Sequence, residues 1–197
     1  MGLFSVAERD TRLSPRRRSA YGAGERIYHA GSDGLAWRLH CGVVRLDTAE
    51  PAGSARFASL AIAGDILGCE TMLFGNYAFT ATALTNCDLR PWPEGEGVSV
   101  GDSLLSSLAK AQNRAADIVA LRGGQAADRV LGLIKLLTDG ADRVVLPTRQ
   151  DIADITDLRF ETISRIIKSL ERTRALLPIK IEGVHATRSY AVNFAAL

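Results

Sequence analysis

Residues 147–174 read PTRQDIADITDLRFETISRIIKSLERTR, and this stretch decides the architecture of the chain. Thr148 followed by Asp151 is typical of a helix start, because a hydroxyl satisfies free backbone N–H groups and an acid lies in the first turn. Asp157 then interrupts the helix, since aspartate tolerates the left-handed backbone of a tight turn. A second helix follows, and its apolar stripe at helical spacing is formed by Ile163, Ile166, Ile167 and Leu170.

The opposite face of this second helix carries polar side chains that suit base edges. Glu161, Ser164 and Arg165 stand at i, i+3 and i+4, so they project side by side. Glutamate accepts from the cytosine amino group, the arginine fork matches guanine, and serine adapts to either. The segment 159–174 also holds five Lys/Arg residues against two Glu. A solvated surface helix is the alternative, but the short helix, the turn and the basic flanks favour a DNA-binding helix-turn-helix.

The motifs TRQDIA at 148–153 and ETISR at 161–165, with Lys168, resemble the DNA-binding domain of the Crp/Fnr transcription regulators. Glu-x-x-Ser-Arg is the form found in the Fnr and FixK-like branch. The resemblance implies that Glu161, Ser164 and Arg165 read bases in a TTGAT-like half-site of a palindromic operator. Two positions depart from the family pattern. Asp157 replaces the usual turn glycine, and Arg159 replaces the Ser or Thr that caps the recognition helix, which should weaken the helix start by ~1 kcal/mol.

Phosphate contacts are expected on three parts of this domain. The resemblance places Arg149, Gln150 and Thr162 at phosphate-contacting positions, and Arg159 adds a cation close to the backbone. Beyond the recognition helix, 179–183 and 190–194 alternate like strands of a wing hairpin, on which His185 is a further, weaker candidate. The predicted phosphate contacts are Arg149, Gln150, Arg159, Thr162, Lys168, Lys180 and Arg188.

Residues 21–100 carry the pattern of a β domain. Short apolar runs separated by glycines recur at 8–12-residue spacing, which is typical of a sandwich or barrel. The order of Gly24-Glu25-x-Ile27, Gly42-Val-Val-Arg45 and Gly64-Asp-Ile-Leu-Gly68 is similar to the jelly-roll (double-stranded β-helix) sensor domain of the Crp/Fnr family. Cyclic-nucleotide binders of this fold hold the phosphate with an arginine, whereas residues 77–80 offer none. We therefore expect no tight cAMP binding, because a buried phosphate needs charge-assisted hydrogen bonds; Glu70, Tyr77 and Thr80 could line a pocket for another effector or be plain strand residues.

A long helix is predicted at 101–122, between the β domain and the DNA-binding region. Leu104, Leu108, Ala111, Ala115 and Ile118 recur at the spacing of a coiled-coil seam. The stripe packs either on its own β domain or on a second copy, and the family resemblance implies a homodimer. A dimer would place two reading helices on half-sites about one helical turn apart.

The complete expectation is an α+β chain with four parts: a basic arm at 1–20, a β-roll sensor domain at 21–100, the dimerisation helix at 101–122, and a winged helix-turn-helix domain at 123–197. No apolar run reaches the ~18 residues of a membrane span, and the charged N-terminus does not fit a signal peptide. We therefore expect a cytoplasmic protein of bacterial type. The Crp/Fnr resemblance implies a regulator that binds operator DNA and RNA polymerase, and nothing in the sequence calls for a cofactor.

Other classes of function find less support in the sequence. A cupin-like enzyme would need clustered ligands, but His29, His40 and His185 are isolated and no catalytic motif is present. Haem or metal sensing through His29 or His40 stays open as an alternative. The iron–sulfur cluster of the Fnr branch is not expected, because the N-terminal cysteine cluster is missing. Cys41, Cys69 and Cys87 are expected to be buried small apolar residues.

Overall fold

The structure is a computed structural model that describes residues 19–49, 55–93, 100–181 and 188–196. Its first half is a β-roll of two four-stranded antiparallel sheets, with strand orders β1-β8-β3-β6 and β2-β7-β4-β5. The strands are β1 (Ser19–Tyr21), β2 (Arg26–Tyr28), β3 (Trp37–Cys41), β4 (Val43–Ala49), β5 (Ala55–Ile62), β6 (Ile66–Leu67), β7 (Thr80–Ala83) and β8 (Cys87–Pro91). The predicted β-roll is confirmed, with β4 and β5 forming the longest hairpin.

The second half is mainly helical. After the short α1 (Thr71–Phe74) within the β-roll, the helices are α2 (Val100–Ala120), α3 (Ala126–Leu137), α4 (Arg149–Thr156) and α5 (Phe160–Arg172). A three-stranded antiparallel sheet in the order β10-β11-β9 closes the domain, formed by β9 (Arg143–Val145), β10 (Leu176–Pro178) and β11 (Ser189–Val192). The predicted α+β class with a C-terminal winged helix-turn-helix is thereby confirmed.

Two apolar cores hold these elements. One lies inside the β-roll, between its sheets, and includes Leu39, Val44 and Leu89. The other is continuous across the two halves of the chain, since Val43 and Phe57 of the β-roll belong to the same buried cluster as Ile152 and Ile163 of the helices. The alternation of β4 explains this division, because Val43 and Val44 point to opposite faces of the strand.

Helix α2 is fixed to its own β-roll by one polar face. The Arg114 guanidinium forms a two-pronged ion pair with Asp65, with Nη2 to Oδ1 at 3.0 Å, and also donates to the Leu60 carbonyl at 3.3 Å. Nearer the start of the helix, the Ser107 hydroxyl accepts from the Ile66 backbone N–H at 2.9 Å. Both ionic partners are almost fully buried, so the side of α2 that carries Arg114 and Ser107 faces the β-roll.

Several element boundaries differ from the expectation. The first wing strand lies at 176–178 rather than 179–183, although Ile179 still donates to the Ser189 carbonyl at 3.0 Å. Strand β1 begins at Ser19, within the range expected as a basic arm, because it pairs with β8, itself not anticipated. Residues 1–18 of the arm, the connector at 94–99 and His185 lie outside the described residues.

The three cysteines occupy different environments. Cys87 is buried, where desolvation raises its pKa to about 11, and Cys69 is half-buried. Cys41 is exposed, so the expectation that all three are buried is wrong for this residue. Cys41 is the last residue of β3 and follows an irregularity in the pairing with β8, after which both His40 and Cys41 are exposed.

The Arg114–Asp65 pair gives the first testable prediction. Replacing Arg114 by Ala leaves a buried carboxylate without its partner, which costs about 3–5 kcal/mol of unfolding free energy. Urea denaturation measures this loss. Lys110→Ala, an exposed position on the same helix, is the matched control and should change stability by no more than about 0.5 kcal/mol. An Arg114→Ala protein as stable as this control would contradict the assigned role.

Candidate nucleic-acid interface

The start of α4 is built as the sequence predicts. The Thr148 side chain accepts from the Asp151 backbone N–H at 3.2 Å, and the Asp151 carboxylate accepts from the Thr148 backbone N–H at 3.3 Å, which completes a capping box. Asp157 ends the helix with a left-handed backbone at φ 53°. The predicted helix start at Thr148 and the predicted left-handed turn at Asp157 are both confirmed.

Helix α5 is amphipathic, with a buried apolar side and a polar side open to solvent. Ile163 and Ile167 have no exposed surface and pack in the core that joins the two halves of the chain. Arg159 is the N-cap residue and makes no side-chain capping hydrogen bond, as expected from its side chain. The helix therefore starts without the usual hydroxyl and is held by its buried stripe.

The predicted base-reading residues lie together at the amino-terminal end of α5. Glu161 and Arg165 are exposed, one turn apart, and Ser164 is half-buried between them and the body of the domain. Lys168 and Arg172 continue the exposed side toward the carboxyl end, and Arg165, Lys168 and Arg172 line one shallow groove with Glu171. A carboxylate and an arginine thus face solvent from adjacent turns, flanked by cations.

Some of the predicted phosphate-contacting side chains are exposed to solvent, and others are partly buried or hydrogen-bonded within the chain. Arg159 and Lys180 are exposed, while Arg149 and Thr162 are half-buried. The Gln150 amide donates to Asp154 Oδ1 at 3.0 Å. The Tyr190 hydroxyl, near Arg149, donates to Glu171 at 2.8 Å, and burial together with this bond raises the pKa of Tyr190 to about 12.

Arg188 has another role than the one expected from its place on the wing. Its guanidinium donates to the Leu146 carbonyl at 2.9 Å and to the Leu84 carbonyl at 3.0 Å. Leu84 belongs to the β-roll, so Arg188 joins the two halves of the chain. The physical reason is that two buried carbonyl groups at the junction need donors, and a long arginine side chain supplies both.

Helix α4 has only eight residues, and three arginines from other elements hold it. Arg122, in the turn after α2, donates to the carbonyls of Asp154 and Ile155 at 3.1 and 3.2 Å. Arg129 of α3 donates to the Thr156 carbonyl at 3.3 Å. These bonds satisfy carbonyls at the carboxyl end of the helix, which have no intrahelical partners and favour a positive charge.

Arg45 of β4 is the third of these arginines, and it binds α4 through side chains. Its Nη1 lies 2.8 Å from Asp154 Oδ2 and 3.3 Å from Asp151 Oδ1, while its Nε lies 2.8 Å from Asp47 Oδ1. Burial lowers the pKa of Arg45, but the hydrogen bonds to Asp154 and Asp47 outweigh it and raise the pKa above its usual value. The guanidinium carbon also lies 5.6 Å from the centre of the Phe57 ring.

The expected effector-pocket residues are used for internal contacts. The Tyr77 ring stacks on Tyr28 with 3.7 Å between ring centres, and its hydroxyl donates to the Leu35 carbonyl at 2.7 Å. Gly34 and Gly68 lie against this ring so closely that a Cβ on either would overlap it. Glu70 accepts from the Ala78 N–H at 3.2 Å, and the Thr80 hydroxyl accepts from the Ala30 N–H at 3.1 Å. All three side chains thus hold neighbouring segments of the β-roll together.

No protein-family model matches the chain. Two curated relatives are similar, and both are nitrogen fixation regulation proteins called FixK. The one from Bradyrhizobium diazoefficiens is 32% identical over 68% of this chain, and the match spans 63% of that relative's length. The one from Rhizobium meliloti is 27% identical over 84% of this chain and 80% of that relative.

The fold agrees with a solved structure of the same kind. A CRP-family transcriptional regulator of Thermus thermophilus superposes with a TM-score of 0.66, covering 90% of this chain and 93% of that one at 23% identity. The chain belongs to the Crp/Fnr family. The Crp/Fnr resemblance seen in the recognition-helix motif thus extends over the sensor domain as well.

Within this Crp/Fnr fold, the predicted dimer-seam residues do not share one environment. Leu108 and Ala115 are exposed, and Leu104 and Ala111 are half-buried. Ile118 is only 4% exposed, because it packs in the core of its own chain. The exposed apolar side of α2 keeps Leu108 and Ala115 of the expected seam and includes Leu105 and Val119 as well.

Neither a membrane span nor a metal cluster is found in the described segments. No helix there is both long and apolar enough to cross a bilayer. The same residues contain no group of three or more His, Cys, Asp or Glu side chains suited to a metal. His29 and His40 are both exposed on the β-roll.

The arginines that hold α4 were missed by sequence reasoning. Arg122 and Arg129 carry no local signal for this role, since their acceptors in α4 are backbone carbonyls more than twenty residues away. Arg45 does carry a local signal. It alternates with Val43 and Asp47 on one face of β4, and two charged side chains on the face of a strand indicate that a polar group packs against that face.

The missing cap of α5 can be tested directly. Arg159→Ser supplies a hydroxyl to the free N–H groups and should raise the unfolding free energy by ~1 kcal/mol relative to Arg159→Ala. Because both Arg159→Ser and Arg159→Ala lack the arginine charge, the difference between their stabilities reports the capping hydroxyl alone. Thermal unfolding of the two variants measures the difference. Equal stabilities would mean that the start of α5 gains nothing from a capping side chain.

Proposed function

We propose that the chain is a sequence-specific DNA-binding transcription regulator that recognises a palindromic TTGAT-like operator as a homodimer. The observation that carries this is the exposed side of α5, where Glu161 and Arg165 stand one turn apart above a buried isoleucine stripe. Glutamate accepts from cytosine and arginine donates to guanine, so the two can read neighbouring base pairs in a major groove. The relatives named as regulators of nitrogen fixation support the same class of function.

The phosphate-binding set follows from what the fold leaves available. Arg159, Lys168 and Lys180 are exposed on the recognition helix and nearby segments, and Thr162 is half-buried. Arg149 is half-buried beside Tyr190, and Arg188 is engaged with backbone carbonyls. Gln150 contacts a phosphate only if it releases Asp154. Cations around a reading helix increase affinity for every sequence and make it dependent on salt.

Dimerisation is proposed through the uncovered side of α2. Leu105 is 67% exposed, Val119 is 73% exposed, and Leu108 and Ala115 lie between them at heptad spacing. Large apolar side chains left in water on one helix stripe favour a second apolar surface, and a copy of the same stripe supplies it. A two-fold pair of reading helices then requires a palindromic site.

The β-roll is proposed to act as a fixed platform rather than a cyclic-nucleotide sensor. Tyr77 and Tyr28 fill the space near the expected pocket, and residues 77–80 provide no cation for a phosphate. The regulator would then bind its operator in the cytoplasm without an effector and act on RNA polymerase from there.

Arg165 provides the main test of this proposal. Arg165→Ala should lose ~1–3 kcal/mol of discrimination at one base pair in each half-site, because a two-pronged contact to one base is removed. Anisotropy titrations against operators with each base pair substituted measure this. Lys168→Ala, on the same helix and in the proposed phosphate set, is the control and should weaken binding to all sequences alike. If Arg165→Ala did the same, the base-reading assignment would be wrong.

The platform role of the β-roll makes a separate prediction. Addition of cAMP should leave operator affinity unchanged, since a phosphate buried without a cation lacks its charge-assisted hydrogen bonds. Titrations with and without millimolar cAMP provide the comparison. A tenfold gain in affinity with cAMP would refute the argument from the pocket.

A further inference from the structure

The contact between Arg45 and α4 connects the β-roll to the part of the chain that approaches DNA. Asp151, which closes the capping box with Thr148, also receives Arg45, and Asp154 receives both Arg45 and Gln150. The residues at the start of α4 and the one arginine from β4 therefore form a single hydrogen-bonded cluster. Any rotation of α4 away from the β-roll breaks both bonds from Arg45, while the bonds within the start of α4 move with the helix.

This cluster is shielded enough to hold an orientation. The Arg45 side chain is 12% exposed, and the guanidinium is fixed on its other sides by Asp47 and the Phe57 ring. Phe57 also receives Arg122, whose guanidinium carbon lies 5.4 Å from the ring centre and which binds the carboxyl end of α4. Two arginines above one ring thus hold both ends of the same eight-residue helix.

The charge balance at this cluster also bears on DNA. Asp151 and Asp154 lie on the helix whose amino end carries Arg149 and Gln150, and carboxylates near phosphates are repulsive. Arg45 neutralises the pair from the β-roll side. Without it, α4 would present two uncompensated acids next to the proposed phosphate contacts.

We propose that Arg45 is a positioning residue for operator reading: it sets the orientation of the helix-turn-helix relative to the dimerisation helix, and thereby the half-site spacing that the dimer accepts. This rests on the proposed function. Two helix-turn-helix domains held rigidly on their β-rolls match one separation of half-sites. Domains released from their β-rolls tolerate several separations. The spacing preference is therefore the property that Arg45 controls, and base preference within a half-site belongs to α5.

The test measures affinity for operators with the preferred spacing and with one or two base pairs added. Arg45→Ala and Asp154→Asn should each lose about tenfold in affinity for the preferred spacing, the factor that a loss of about 1.4 kcal/mol produces, and the ratio between spacings should fall toward one. Arg45→Lys keeps a cation among Asp47, Asp151 and Asp154 and should recover most of both properties. Arg38→Ala is the control, since Arg38 donates to the Gly64 carbonyl within the β-roll, and it should keep the wild-type ratio.

Hydrogen exchange in the absence of DNA measures the contact between Arg45 and α4 independently. Peptides covering 43–49 and 149–156 should exchange faster in Arg45→Ala and Asp154→Asn and stay near wild-type rates in Arg45→Lys. Folded variants with wild-type exchange and an unchanged spacing ratio would overturn the proposal. If Arg45→Ala does not fold, Asp154→Asn, at a position with a 37% exposed side chain, decides alone. If the wild-type protein showed no preference for the operator, the proposed function would be wrong. The exchange rates would then still show whether the Arg45 contact holds α4.

Discussion

Two buried isoleucines on one side of α5, Ile163 and Ile167, fix the orientation of the helix and therefore which residues of its polar side are exposed. Ile163 and Ile167 are completely buried against the helices of the same domain, and burying a side chain of this size stabilises a fold by about 1.5–3 kcal/mol. Rotation of the helix by even a quarter turn would expose them. The exposed placement of Glu161 and Arg165 is therefore a consequence of core packing, and it needs no contribution from the weak N-cap at Arg159.

The β-roll contributes to the same arrangement by supporting α4. An eight-residue helix is too short to be stable alone, and α4 is held by the capping box at its start, by Arg122 and Arg129 at its end, and by Arg45 along its side. Because one apolar core continues from the β-roll into the helices, the two halves pack as a unit. We infer that the domain that resembles a sensor serves here mainly as a support, and the stacked Tyr77 and Tyr28 inside it agree with that role.

The sequence predicted features that depend on neighbours within one or two turns. The capping box, the left-handed Asp157, the uncapped Arg159 and the buried stripe of α5 are all of this kind. Strand β8 was missed because its partners β1 and β3 lie far away in sequence and its own residues, including Asp88 and Pro91, do not alternate like a strand. Arg188 and Arg45 were misjudged or overlooked for the same reason, since their acceptors lie up to 109 residues away. The face of α2 was predicted only in part, because the Arg114–Asp65 pair, the Ser107–Ile66 bond and the buried Ile118 together decide which side meets the β-roll, and periodicity alone does not show this.

The central claim is that α5 reads bases, and one titration tests it most directly. The purified protein is titrated at a fixed salt concentration against a labelled palindrome with two TTGAT-type half-sites and against a duplex of the same composition in scrambled order. The account predicts binding to the palindrome that is at least ~10³-fold tighter, the lower end of the usual ratio between specific and non-specific sites. Equal affinity for the two duplexes would contradict it.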